Sequence, residues 1–180
     1  YAGGHSHPDR LHLTWFAGGR ELAPDSGSIR YRDPLQKAWF KQTIAHNTLV
    51  VDQTSHALQP IPGKLEALCT TDCVDIVKAS DAYAVPEALL ERTVVLTADY
   101  LLDIFSGSST KKRTWDWVYR NAGKLAPPPQ AAFAGGPLGS EAGYQHVDLL
   151  RHLETSEAWT AEWIQDDGAA VRLTMLAHPG

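Results

Sequence analysis

What most constrains the fold of this chain is a succession of short β-type runs cut by turn residues. Leu11, Leu13 and Trp15 alternate with His12, Thr14 and Phe16, and Gly18-Gly19 then turns the chain into Glu21-Leu22-Ala23, the pattern of a glycine-turned hairpin. Further apolar or β-branched runs lie at residues 48–52, 65–68, 74–78, 93–97, 100–105, 114–119, 158–164 and 171–176. Turn-forming groups separate them: Asp25-Ser26-Gly27, Pro60-Ile61-Pro62-Gly63, Ala98-Asp99 and Asp166-Asp167-Gly168. Only residues 35–42 and 86–90 read as short helical turns. Regular short strands with so little helix predict an all-β fold, an antiparallel β-sandwich. Residues 125–143 hold four prolines and four glycines without periodicity, and read as a long surface excursion or flap, not as a domain boundary.

At 180 residues, 43% of them hydrophobic, the chain has the size and composition of one domain, residues 1–180, with a substantial core. It opens on Tyr1 without a charged-then-apolar leader, and residues 173–180 read as a strand with no partner. Both ends therefore look cut from something longer, whose remainder would carry any export signal. No apolar run reaches the roughly 18 residues of a membrane helix. The net charge of −5 excludes a general nucleic-acid binder, which needs a broad positive field. Positive charge is nevertheless clustered. Arg30, Arg32, Lys37 and Lys41 face only Asp33 in their stretch, and Lys111, Lys112, Arg113, Arg120 and Lys124 only Asp116. Such clusters suit an acidic ligand, or are solvated loop charge. Cys69 and Cys73 make neither a zinc knuckle nor a disulfide framework and read as free thiols, one or both buried.

The chemistry-bearing pattern is His5-Ser6-His7, followed by Asp25 and by His46-Asn47-Thr48. Two histidines one residue apart share a side of an extended backbone. Asp25 and His46, on separate segments, can close a three-ligand site that leaves one position of a zinc ion open. Eight histidines in the chain also allow the pair to be an accident of scattered surface imidazoles. Tyr31, between Arg30 and Arg32, is a candidate for contact with an acidic sugar, the alternative being an ordinary exposed loop residue. Asn47 is expected to satisfy nearby backbone, Asp9 to cap the turn after Pro8, and His12 to be a surface strand residue. Trp115 and Trp117 share a strand face and read as packing residues.

The order His5-Ser6-His7-Pro8-Asp9, Ala17-Gly18-Gly19-Arg20-Glu21-Leu22, Pro24-Asp25-Ser26-Gly27 and Ala45-His46-Asn47-Thr48-Leu49-Val50-Val51-Asp52 resembles the heparinase II/III-like polysaccharide lyases, which include the oligo-alginate lyases. Arg92-Thr93-Val94-Val95-Leu96, Tyr100-Leu101-Leu102-Asp103-Ile104-Phe105 and Thr114-Trp115-Asp116-Trp117 agree with it. The resemblance implies a C-terminal β-sandwich whose partner, an N-terminal (α/α) toroid carrying the main catalytic tyrosine, is absent here. It implies that His7, Asp25 and His46 hold a structural zinc. It implies that His5 faces the cleft as a catalytic or carboxylate-neutralising residue. The substrate would be an acidic polysaccharide or oligo-uronide, alginate being favoured over sulfated polymers, which call for more basic charge. The setting would be periplasmic or secreted, a cytoplasmic one remaining open. Relatives often carry a histidine after the Trp-Asp-Trp stretch, where this chain has Arg120. Two other readings stand beside this one. A cupin-like metal enzyme also begins with His-x-His but calls for a nearby glutamate, and none precedes Glu21; bound iron or manganese, not zinc, would mark it. The other is a non-catalytic carbohydrate-binding or interface module.

Overall fold

The computed structural model describes residues 5–177. A two-residue hairpin comes first, β1 (Phe16–Ala17) against β2 (Arg20–Glu21), closed by Gly18 and Gly19 at φ 58° and 78°. Two successive positive φ values are reached by glycine without the cost of a Cβ, which favours the glycine pair there. The alternation upstream does not extend this hairpin. Leu11 has φ 56° and the His12 amide donates to the Asp9 carbonyl at 2.9 Å, so residues 9–12 form a turn.

The largest sheet is a meander of β4 (Lys64–Thr70), β5 (Asp75–Asp81), β6 (Ala88–Leu96) and β7 (Leu101–Ser109), all antiparallel neighbours. Opposite its inner face lies the pair β3 (Leu49–Val51) and β8 (Trp115–Trp117), with Leu49 opposite Trp117 and Val51 opposite Trp115. Leu49, Val51, Ala84, Val85, Ala88 and Leu90 form the buried core between these layers, flanked by Phe105, Trp115 and Trp117. A third sheet orders β13 (Ala170–Met175), β12 (Trp159–Ile164) and β9 (Lys124–Ala126), and a hairpin-like pair joins β10 (Ala132–Phe133) to β11 (Arg151–His152). The expected antiparallel β-sandwich is therefore present.

Several local expectations are corrected. Residues 86–90 are not helical. Ala88 opens β6 opposite Ser109, because Leu90 must reach the core, where it is fully buried. The closing strand has a partner: β13 pairs with β12 from Trp159↔Met175 to Ile164↔Ala170, while residues 178–180 of that expected run lie outside the described residues. The excursion at 125–143 is pinned at its start by β9 against β12 and near its middle by β10 against β11, and Ala131 is buried. Cys69 and Cys73 are free as expected but both exposed, Cys69 on β4, which has no buried residue along its length, and Cys73 in the turn that follows.

The helical turn expected at 35–42 forms at Gln36–Phe40 and is followed by Thr43–Ala45. From there residues 43–51 are buried without a break, though four of the first six are polar. Each polar side chain of that run has partners. Thr43 Oγ1 donates to the Pro8 carbonyl at 2.6 Å and Thr48 Oγ1 to the Arg10 carbonyl at 2.5 Å. Asn47 binds Leu13 and Arg120 backbone, as expected of it, with Nδ2 at 3.2 and 3.4 Å from their carbonyls and Oδ1 at 2.6 Å from the Arg120 amide.

Arg92, on the inner face of β6, joins this run to the large sheet. Its Nε and Nη2 bind the two Asp103 carboxylate oxygens at 2.8 and 2.7 Å, while Nη1 donates to the Leu11 and Asn47 carbonyls at 2.6 and 2.7 Å. Trp117 Nε1 adds a bond to Asp103 Oδ2 at 3.2 Å. The two charged side chains are only 4% and 10% exposed, so removing one strands the other. Replacing Arg92 by Met should therefore lower the unfolding free energy by about 3–5 kcal/mol in urea titrations. A loss too small to resolve would show that the pair is not what joins the layers.

Candidate metal and substrate site

Three segments converge beside this buried run. Residues 5–10 are carried by the hydrogen bonds that Thr43 and Thr48 make to the Pro8 and Arg10 carbonyls. Asp25 is set by its own turn, in which the Gly27 amide donates to Asp25 Oδ1 at 2.6 Å and Gly27 takes φ 73°. His46 ends the turn Thr43–Ala45, its amide on the Thr43 carbonyl at 3.0 Å and its side chain fully buried.

His7, Asp25 and His46 each offer a donor atom, and these atoms all lie within 4.8 Å of one another. His46 Nδ1 is 2.7 Å from Asp25 Oδ2, and the His7 and His46 ring centroids are 5.4 Å apart. The hydrogen-bond directions test whether a cation fits. His46 Nε2 is 3.2 Å from the Phe40 carbonyl, which only accepts, so that nitrogen carries a proton. In the neutral ring Nδ1 is then a bare lone pair facing a carboxylate oxygen, an arrangement relieved by a cation between them. Burial, and then the neighbouring His46, hold His7 below the ordinary histidine range, so it is a neutral donor at pH 7. Burial pushes Asp25 up, but the hydrogen bond from the Gly27 amide draws it down, and the net direction is below the ordinary carboxylate range. Two imidazoles and one carboxylate are donors that zinc accepts. The residues fit the ion.

His5 lies beside Tyr31. Its Nδ1 hydrogen-bonds the phenol oxygen, and the rings meet edge-on at 5.6 Å. Lys41 Nζ lies 5.8 Å from the Tyr31 ring centroid, and Tyr31 is 57% exposed. The loop that carries Tyr31 is seated by buried Gln36, whose Oε1 accepts from the Ile29 amide at 2.9 Å. Arg30 and Arg32 flank Tyr31 on that loop and are exposed, and among the described residues no hydrogen bond or ion pair joins either to His5 or Tyr31. The structure thus brings the three metal candidates together, and His5 to Tyr31, but leaves the two arginines in solvent.

His12 is not the surface strand residue expected. It sits in the turn after Asp9, its side chain 14% exposed, with Nε2 3.2 Å from Asp25 Oδ2 and its ring 5.4 Å from that of His46. Alternation with Leu11 and Leu13 suggested a strand, and the positive φ at Leu11 breaks that pattern. Only the proximity of His12 to the His-x-His could have flagged it. Arg120 lies with its guanidinium 5.0 Å from the Trp39 ring centroid, and burial pushes its pKa down to about 10. Trp115 and Trp117 pack on the core, as expected.

Comparison with known proteins assigns the family. The Heparinase II/III-like, C-terminal profile matches residues 1–172, and the chain belongs to that family. An exo-oligoalginate lyase of Saccharophagus degradans is 29% identical over 191 aligned positions, covering 91% of this chain and 26% of the relative. An endo-acting ulvan lyase of Formosa agariphila is 26% identical over 147 positions, covering 66% of this chain and 18% of its own length. Among solved structures, a heparan sulfate lyase HepC mutant from Pedobacter heparinus superposes with a TM-score of 0.58 at 20% identity, over 73% of this chain and 20% of that one, a likeness of fold. The chain thus spans about a quarter or less of these relatives' lengths. Family membership displaces the cupin-like alternative.

The shifted histidines set a pH dependence. His7, His12 and His56 are each held below the ordinary histidine value, chiefly by burial, so the unfolded chain binds more protons than the fold once the pH drops below about 6.5. Unfolding is then favoured, and depressed Asp25 extends the loss below about 3.9. Metal-free protein should therefore show urea midpoints that fall from pH 7 to pH 5. Equal midpoints would contradict the neutral, buried imidazoles.

Proposed function

We propose that this chain is the metal-bearing β-sandwich of a polysaccharide lyase that cleaves a uronate-containing polysaccharide by β-elimination. The observation that carries the reading is the joint occurrence of the family match with a His7–Asp25–His46 cluster and an adjacent His5–Tyr31 pair. Zinc, when bound by His7, Asp25 and His46, supplies a structural tie between three loops and leaves the elimination to protein side chains.

In β-elimination the C5 proton beside the uronate carboxylate is removed, the C4–oxygen bond breaks, and a 4,5-unsaturated sugar remains. Negative charge builds on the carboxylate oxygens as the proton leaves, so donors aimed there lower the barrier. With the Tyr31 hydroxyl donating to His5 Nδ1, the ring carries its proton on Nε2 and presents it to the carboxylate. Lys41, near the Tyr31 ring, adds positive potential to the same place. Arg30 and Arg32, exposed on the Tyr31 loop, would meet neighbouring uronates of the chain. The base and the acid for the leaving oxygen are assigned to an N-terminal toroid domain of the parent protein, so residues 1–180 alone act as a module without turnover. Alginate or an oligo-uronide fits the modest basic charge better than a sulfated polymer. A polymeric substrate of this kind suits a periplasmic or secreted setting.

The test uses the full-length parent with alginate, ulvan and heparan sulfate, following ultraviolet absorbance of the unsaturated product. His5→Ala should lower kcat/KM by about 10²–10⁴-fold at unchanged zinc content. Removing zinc with a chelator should lower both the melting temperature and the rate. Absence of the unsaturated product with every uronate polymer would sink the reading, as would full activity of the His5 variant.

A further inference from the structure

We propose that His12 is a positioning residue of the metal site: its Nε2 faces the Asp25 carboxylate and holds that group as a ligand, while its Nδ1 is committed to the backbone of Asn47. The inference rests on the metal reading above and adds a residue to it.

A backbone amide can only donate. The Asn47 amide lies 2.8 Å from His12 Nδ1, so Nδ1 must be a lone pair, and the neutral ring carries its one proton on Nε2. Nε2 is buried and has no well-aligned hydrogen bond to any described residue; what it faces is Asp25 Oδ2 at 3.2 Å. The same oxygen faces His46 Nδ1 at 2.7 Å, and Asp25 Oδ1 is taken by the Gly27 amide. Asp25 is thus bonded by a turn amide and faced on its other oxygen by a candidate ligand and by His12.

His12 is thereby excluded as a fourth ligand. Binding a metal through Nε2 would require the proton to move to Nδ1, where it would meet the Asn47 N–H head on and leave a buried donor unpaired. The ring has little freedom to escape this. The Leu11 carbonyl before it accepts from Arg92 at 2.6 Å, and the Leu13 amide after it donates to the Asn47 carbonyl at 3.1 Å. Both flanks are fixed to the same buried frame. A histidine whose second nitrogen is held this way orients a ligand instead of becoming one.

Two substitutions separate the two ring nitrogens. His12→Asn keeps an acceptor near the Nδ1 position and loses the donor toward Asp25; His12→Gln places an amide donor near the Nε2 position and loses the acceptor for Asn47. In the full-length protein, zinc affinity by competition with a chromophoric chelator should fall by about 10–100-fold for His12→Asn and stay close to wild type for His12→Gln. Metal-free melting temperatures should move the other way, with His12→Gln the less stable. Affinity losses that merely track metal-free stability in both variants would make His12 a packing residue and overturn the proposal. So would wild-type affinity in His12→Asn, or nitrogen chemical shifts of metal-free protein that put the His12 proton on Nδ1. A wild-type protein that takes up no zinc would sink the metal reading and this inference together, whereas normal zinc binding with an unaffected His12→Asn sinks this inference alone.

Discussion

The buried pair of Arg92 and Asp103 is the interaction on which the rest of the structure depends. A desolvated guanidinium is tolerated only when its donors are met, and here a bidentate carboxylate and two backbone carbonyls meet them. The carbonyls belong to Leu11 and Asn47, the residues next to His12 and His46. One side chain on a regular sheet therefore fixes two irregular segments that meet at the candidate site. Loops have no ladder to set their register, and a buried cation with directional donors does that work in its place.

Around this frame the site is built from side chain-to-backbone hydrogen bonds more than from packing. Thr43 and Thr48 hold the carbonyls that follow the His-x-His, the Asp25 turn closes on its own glycine, and Asn47 links two further stretches of backbone. The result is a buried run, 43–51, with four polar side chains in its first six residues, beside strands whose outer faces are open to solvent. Polar burial concentrated at one end of a sandwich is costly unless every group is satisfied, and such satisfaction makes a rigid base for ligands. The layers carry stability and the loops carry chemistry, with Arg92 between them.

Much of the fold was legible in the sequence where period and turn residues agreed. β3, β5, β7, β12 and β13 fall on runs of β-branched and apolar residues, and the Gly18-Gly19 hairpin follows from two positions at positive φ that glycine favours. Residues 86–90 misled because apolar pattern alone cannot tell a helical turn from the start of a strand, and tertiary burial of Leu90 decided the matter. Residues 11–15 misled for the opposite reason. Their alternation is real, but the chain turns at Leu11, and the pattern places His12 inward against the site. The short strands β9, β10 and β11 carry no signal of their own and exist because a partner strand pairs with them.

By itself the sequence determined which chemistry was available: two imidazoles one residue apart, a carboxylate in a glycine turn, a third imidazole before a β-branched run, and too little positive charge for nucleic acid. These are properties of residue type and local spacing, and no fold is needed to read them. Only the tertiary structure decided which imidazole nitrogens are bare and which are protonated, because that depends on a backbone group brought from far along the chain. Asn47 selects the proton position of His12, and the Phe40 carbonyl that of His46. Hydrogen-bond direction is a three-dimensional fact, and in this site it sets apart two imidazoles that residue type alone leaves alike.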